Sequence, residues 1–145
     1  MAWFLDSNAV IHCLRKAGSS VGERLQREVG VVPVFLPLQV LAELRVGVAK
    51  CAAPERRGRE LLAFIAPMLI AWPDAAVVEH YTDIRVTLER ADNVISEADL
   101  WIAATARAAG GTLVTHNIGE FLRVSGLNVE DWQEPRFETP PAIPA

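Results

Sequence analysis

Short, continuous apolar runs alternate along the chain with longer stretches whose apolar residues recur every three or four positions. That alternation predicts an α/β domain with a central parallel β-sheet flanked by α-helices, because buried parallel strands read as unbroken hydrophobic runs. Residues 2–5 form the first expected strand, ended by Asp6-Ser7-Asn8, residue types that favour helix starts. The helix that follows runs toward Lys16 and stops at Gly18. A second strand is expected over 31–36, where Pro33 favours either an edge position or a strand that begins at the proline. An amphipathic helix over 38–49 comes next, then a helix bearing Arg56, Arg57 and Arg59, then a strand over 68–72 closed by Pro73-Asp74.

In the second half, Val77, Val78, Tyr81, Ile84 and Leu88 repeat at helical spacing within 74–90. Residues 96–109 are alanine-rich and run into Gly110-Gly111, a helix stop. A short strand over 112–115, a brief helix around 119–122 and a last strand over 127–132 complete the pattern. Four of the nine prolines fall after Glu134. With no repeat and no internal linker, the expected organisation is one domain, 1–134, and a loose proline-rich tail, 135–145.

Composition narrows the class. At 51% apolar residues the 145-residue chain can bury one sizeable core, which excludes wholesale disorder. Fourteen basic against eighteen acidic residues leave a formal charge of −4. This excludes a protein that coats nucleic acid by charge alone, but not an enzyme whose site itself supplies the negative charge. Cys13 and Cys51 make no disulfide framework and no CxxC pair, which suits a reducing cytosol. No basic leader precedes an apolar stretch, and the longest apolar run, 61–72, is 12 residues with Pro67 inside it. A membrane span needs about 20. The expectation is a soluble, cytoplasmic chain without a membrane segment.

Four acids stand where an α/β sheet builds its site, beyond the carboxyl ends of the strands. Asp6 ends the first strand, Glu43 lies one turn into the helix after the second, Asp99 opens the alanine-rich helix, and Glu120 follows the 112–115 strand. Asp6 also suits a plain helix cap, Asp99 sits three residues after Ser96 as in a capping box, and Glu120 suits a solvated turn. Glu43 is different: Val40, Val46 and Gly47 surround it at helical spacing, an apolar face on which a carboxylate is costly without a partner. Together the four suggest a site for a hard cation. An all-oxygen set favours Mg²⁺ or Mn²⁺ over zinc, and an ion there suits hydrolysis of a phosphodiester. Composition equally allows a phosphatase or a calcium-binding domain.

The ordered stretches Phe4-Leu5-Asp6-Ser7-Asn8, Leu41-Ala42-Glu43-Leu44-Arg45-Val46-Gly47, Ala98-Asp99-Leu100-Trp101-Ile102-Ala103-Ala104 and Leu113-Val114-Thr115-His116-Asn117, then Glu120-Phe121 and Arg123-Val124-Ser125-Gly126-Leu127, resemble the PIN-domain ribonucleases. The likeness is to the VapC-type toxins of bacterial toxin–antitoxin pairs and spans residues 3–132. It implies a PIN-like fold with an acidic site at the carboxyl edge of the sheet and a Mg²⁺-dependent endoribonuclease activity. Asp6 and Asp99 match the principal metal ligands and Glu43 the third acid. Asn117 stands, neutral, where many members carry an acid, with Glu120 placed to supply charge and Thr115 matching a hydroxyl beside the acids. Ala91-Asp92-Asn93 departs from the family at a place where glycine is common, which reads as a loop variation.

The resemblance further implies a homodimer, an RNA substrate and a cognate antitoxin that inserts a segment near the acids. Val40, Leu44 and 61–65 are apolar enough either to receive that segment or to be core. Arg56, Arg57 and Arg59 suit an RNA backbone, or equally a solvated helix face. The alternative class is a non-catalytic PIN-like module that binds RNA or protein, its acids acting as caps; Asp6, Glu43 and Asp99, all present, favour the enzyme. His12 beside Cys13 lacks a second pair for zinc, no GxSxG or phosphate loop occurs, and the four tryptophans read as core or interface.

Overall fold

Trp3–Leu5 form strand β1, three buried residues at the centre of the molecule, in a computed structural model that describes residues 1–16 and 18–133. The chain continues through α1 (Ser7–Arg15), α2 (Ser20–Glu28), β2 (Val34–Pro37), α3 (Leu38–Lys50), α4 (Pro54–Ile65) and β3 (Leu69–Ala71). It then forms α5 (Ala75–Arg90), α6 (Glu97–Ala108), β4 (Thr112–Val114), α7 (Ile118–Phe121) and β5 (Asn128–Glu130). The expected proline-rich tail, 135–145, lies outside the described residues.

The five strands form one sheet in the order β3-β2-β1-β4-β5, every pairing parallel. The α/β architecture with a central parallel sheet is therefore as the alternation of apolar runs required. Register places Phe4 beside Phe35 and Leu113, and Leu5 beside Val114. The inner strands are sealed by Leu36, Ile102, Leu113 and Phe121, all fully buried. Because β1 and β4 are neighbours, the residues that follow them, Asp6 and Thr115, emerge side by side at one edge.

Three sequence expectations shift. Strand β2 starts at Val34, directly after Pro33, and lies inside the sheet between β3 and β1. The proline gives up no ladder bond there; its carbonyl accepts from the Trp3 N–H at 3.0 Å. Helix α2 fills a stretch in which no element was expected, and it buries only Val21 and Leu25. Its Ser19 cap accepts from the Gly22 N–H at 3.1 Å. Trp72, expected in core or interface, is 68% exposed at the end of β3, whereas Trp3 and Trp132 are buried edge to face at 5.0 Å.

Helix α6, which carries Asp99, is held firmly. Ser96 caps it by accepting from the Asp99 N–H at 3.2 Å, and Gly110 ends it in the left-handed conformation, φ 65°. Ile102, Ala103, Ala104 and Ala106 are buried along it, so its small side chains let the helix lie close on the sheet. Arg107 ties its far end to α5 and to the loop before β5 through His80 Nδ1 at 2.8 Å, Asp83 at 2.7 Å and the Ser125 carbonyl at 3.0 Å. In the loop that precedes α6, Asp92 adopts φ 52°, so an Asp takes the left-handed geometry that glycine usually supplies.

Candidate active site

Asp6 is the fixed point of the site. It is 3% exposed, it caps α1 by accepting from the Ser7 N–H at 2.8 Å, and its second carboxylate oxygen accepts from the Thr115 hydroxyl at 2.8 Å. The Asn117 N–H donates to that same hydroxyl oxygen at 3.0 Å, which leaves the Thr115 proton aimed at Asp6. The backbone agrees: the Asp6 N–H donates to the Val114 carbonyl at 3.0 Å and extends the β1–β4 ladder to the site itself. Asp6 is thus a cap, as one sequence reading had it. A cap needs only one oxygen, and here the other is held by a buried hydroxyl 109 residues away.

Asp99 and Glu120 meet beside it. The Glu120 carboxyl and the Asp6 charge both act on the Asp99 carboxyl. Burial, the neighbouring Glu120 carboxyl and the Asp6 charge raise Asp99 to about 7, against a lowering by Ser96. Burial, with a smaller contribution from Glu120, also raises Asp6, opposed by the bonds from Thr115 and Ser7. Two carboxyls can share a hydrogen bond only around a proton, and a cation at that position removes the need for one. The donor set is all oxygen, which suits a hard divalent ion. Among the described residues no three acidic, His or Cys side chains close into a ready-made ring around an ion. The fit rests on the Asp6–Asp99–Glu120 cluster of like charge.

Glu43 reaches the site by another route. The Ser7 hydroxyl donates to its Oε2 at 3.0 Å, so the first turn of α1 joins Asp6 to the third acid on α3. The sequence reading set Glu43 on a buried apolar face; the structure corrects this, since Glu43, Val46 and Gly47 are exposed. Glu43 and Gly47 border a groove of about 290 Å³ between α1, α3 and α4, whose walls include Ile11, Leu14, Leu44, Val48 and Leu61. Val40, Leu44 and Leu61 are core, while Leu62 is exposed. Ser7 is the residue that sequence reasoning missed; a hydroxyl directly after the strand-ending Asp was the available signal.

Arg56, Arg57 and Arg59 are exposed on α4. Arg57 lines the Glu43 groove and pairs with Glu60 at 3.0 Å, whereas Arg56 and Arg59 line a separate depression at the start of the helix. Asn117 stands before α7 with no side-chain cap bond, and on its side of the site a second groove opens along α1. Among the described residues no helix is long and apolar enough to cross a membrane.

Comparison with known proteins identifies the family and the fold. The family model described as PIN domain matches residues 3–127. The tRNA(fMet)-specific endonuclease VapC of Shigella flexneri is 33% identical over 132 residues, 91% of this chain and 98% of that protein. Ribonuclease VapC2 of Rickettsia felis is 32% identical over 134 residues, 92% of this chain and all of the relative. The crystal structure of VapBC2 from Rickettsia felis, bound to a DNA fragment from its promoter, superposes with a TM-score of 0.87 at 32% identity, covering 91% of this chain and 99% of that one.

Proposed function

The chain belongs to the PIN-domain family, and from that membership we propose that it is an endoribonuclease acting as the toxin of a toxin–antitoxin pair. The observation that supports this most directly is the buried Asp6, held by Thr115 and Ser7 beside the Asp99–Glu120 carboxyl pair. Relatives that align over nearly their whole length are named ribonucleases, which favours the enzyme over a binding module.

Asp6 and Asp99 are the residues that would hold a divalent cation, Mg²⁺ with Mn²⁺ as a substitute. The chemistry such an ion supplies when bound is a lowered pKa for water and charge stabilisation on the phosphate. Thr115 and the Ser7 amide keep the Asp6 carboxylate ionised and aimed. Glu120, paired with Asp99, and Glu43, held by Ser7, orient the attacking water and take its proton. The water oxygen bonds to phosphorus as the bond from phosphorus to the leaving ribose oxygen breaks, and that oxygen takes a proton from solvent to leave as a hydroxyl. Asn117 fixes the Thr115 rotamer through its amide, and Arg57, with Arg56 and Arg59 further off, holds RNA backbone.

The protein works in the cytoplasm as a homodimer, and the apolar walls that end at Glu43 support the groove between α1, α3 and α4 as the seat of its antitoxin. The substrate named for the Shigella flexneri relative makes initiator tRNA the first RNA to try. The test is cleavage of a cellular RNA pool by purified, antitoxin-free protein with Mg²⁺ or with EDTA, beside Asp6→Asn. Discrete cuts that need Mg²⁺ and vanish in the variant support the assignment. Equal cleavage with EDTA, or by folded Asp6→Asn, sinks it.

A further inference from the structure

A groove of about 440 Å³ runs along α1 on the Asn117 side of the site, and nothing in the chemistry above uses it. Asn8, His12 and Arg15 line one wall, four and three residues apart and so on one face of the helix. His116 and Asn117, directly after Thr115, line the other. The groove begins two hydrogen bonds from the Asp6 carboxylate, through the Asn117 amide and the Thr115 hydroxyl.

We propose that this groove receives the single-stranded nucleotide next to the scissile phosphate, with its own phosphate on Arg15 and its base against His116. The proposal rests on the ribonuclease reading and adds the substrate's strandedness and register.

Three features carry it. Arg15 is exposed, and among the described residues no carboxylate lies within 4.0 Å of it, so its guanidinium is available to an anion. Arg15 also lines the neighbouring groove that holds Glu43, so it stands between the two. His116 is exposed, and its Nδ1 lies 3.0 Å from Asp131, which fixes the imidazole plane and leaves its face to a base. The amide side chains of Asn8 and Asn117 add donors and acceptors suited to a base edge. A base paired in a duplex presents no free face, so single-stranded RNA is the form this groove fits.

The test uses a labelled single-stranded RNA oligonucleotide and full-length protein. Binding is read by fluorescence anisotropy in the non-cleaving Asp6→Asn protein, with and without Arg15→Ala or His116→Ala, and cleavage is read in the otherwise wild-type chain. The expected result is about tenfold weaker binding for either change, with a matching loss of cleavage at RNA concentrations below saturation. Arg15→Ala also reduces the slope of log affinity against log salt by about 0.7, the loss of one single-strand phosphate contact. The corresponding RNA duplex binds more weakly than the single strand. Wild-type binding by both variants, while Asp6→Asn remains inactive, overturns the groove and leaves the ribonuclease reading standing. Equal affinity for duplex and single strand overturns the base contact. A wild-type chain that cleaves no RNA removes the ribonuclease reading and the groove with it.

Discussion

The Thr115 hydroxyl donates to Asp6 Oδ2 at 2.8 Å, a buried bond between the ends of two neighbouring parallel strands. Strand pairing brings the two residues together, and the Asn117 N–H decides where the Thr115 proton points. Thr115→Val keeps the shape and removes the bond, leaving a buried carboxylate with one partner fewer. A hydrogen bond to a charged group contributes about 1.5–3 kcal/mol, so a stability loss of that order is expected by urea unfolding at neutral pH. RNA cleavage should fall more than tenfold, and Thr115→Ser should recover most of both. Thr115→Val with wild-type stability and activity would show that Asp6 does not depend on it.

Asp99 makes metal-free stability pH-dependent. An unfolded aspartate titrates near 4, whereas folded Asp99 titrates at about 7. Between those values the native state binds more protons than the unfolded one, so stability falls as pH rises across the window. Thermal melts in EDTA should therefore show Tm dropping from pH 4.5 to 7.5. Mg²⁺ should restore it at the upper end, with proton release visible by calorimetry in buffers of different ionisation enthalpy. Asp99→Asn should remove most of the slope. A flat metal-free profile would mean that Asp99 and Glu120 do not share a proton.

Much of this site was legible in the sequence because each acid ends or opens an element whose pattern is strong. Helix α6 announces itself by its alanines, its Ser96 cap and Gly110, and it carries Asp99 to the sheet edge. What stayed hidden depends on contacts between elements. Helix α2 buries two apolar residues and carries four charged ones, of which Glu23 and Arg27 are exposed, so its hydrophobic signal is too thin to mark it. Val46 and Gly47 flank Glu43 at helical spacing, yet Val46 is exposed and Gly47 borders a groove, and periodicity alone cannot separate such a surface from a core. The Ser7–Glu43 bond spans 36 residues and two helices, beyond the reach of any local pattern.

Gly111 is the tightest point of the scaffold beneath Asp6. A β-carbon there would lie 2.4 and 2.6 Å from two ring atoms of Phe4 and 3.1 Å from the Ala2 carbonyl oxygen. Phe4 cannot swing away, because it is buried and stacked on Phe35 at 5.0 Å. Gly111→Ala should cost about 1–3 kcal/mol, as overpacking of a filled core does. It should also shift β1 enough to lower activity in chains that remain folded. Unfolding midpoints in urea, measured beside Gly119→Ala, where a β-carbon meets nothing within 4 Å, provide the check.

Glu43 and Ser7 separate a proton acceptor from an ordinary surface acid. Glu43→Gln keeps a carbonyl oxygen for the Ser7 hydroxyl and removes only the charge and the basicity, so the 3.0 Å contact can persist. Since Glu43 is exposed, neither that change nor Ser7→Ala should move Tm by more than a degree or two. A general base contributes about 10²–10⁴ in rate, so Glu43→Gln should lower single-turnover cleavage by at least a hundredfold, with RNA binding unchanged. Ser7→Ala leaves the carboxylate in place and frees its rotamer, and a loss of about three- to tenfold is expected, with the pH profile preserved. Equal, small losses in both variants would place Glu43 outside the chemistry, leaving Glu120 as the carboxylate that takes the proton.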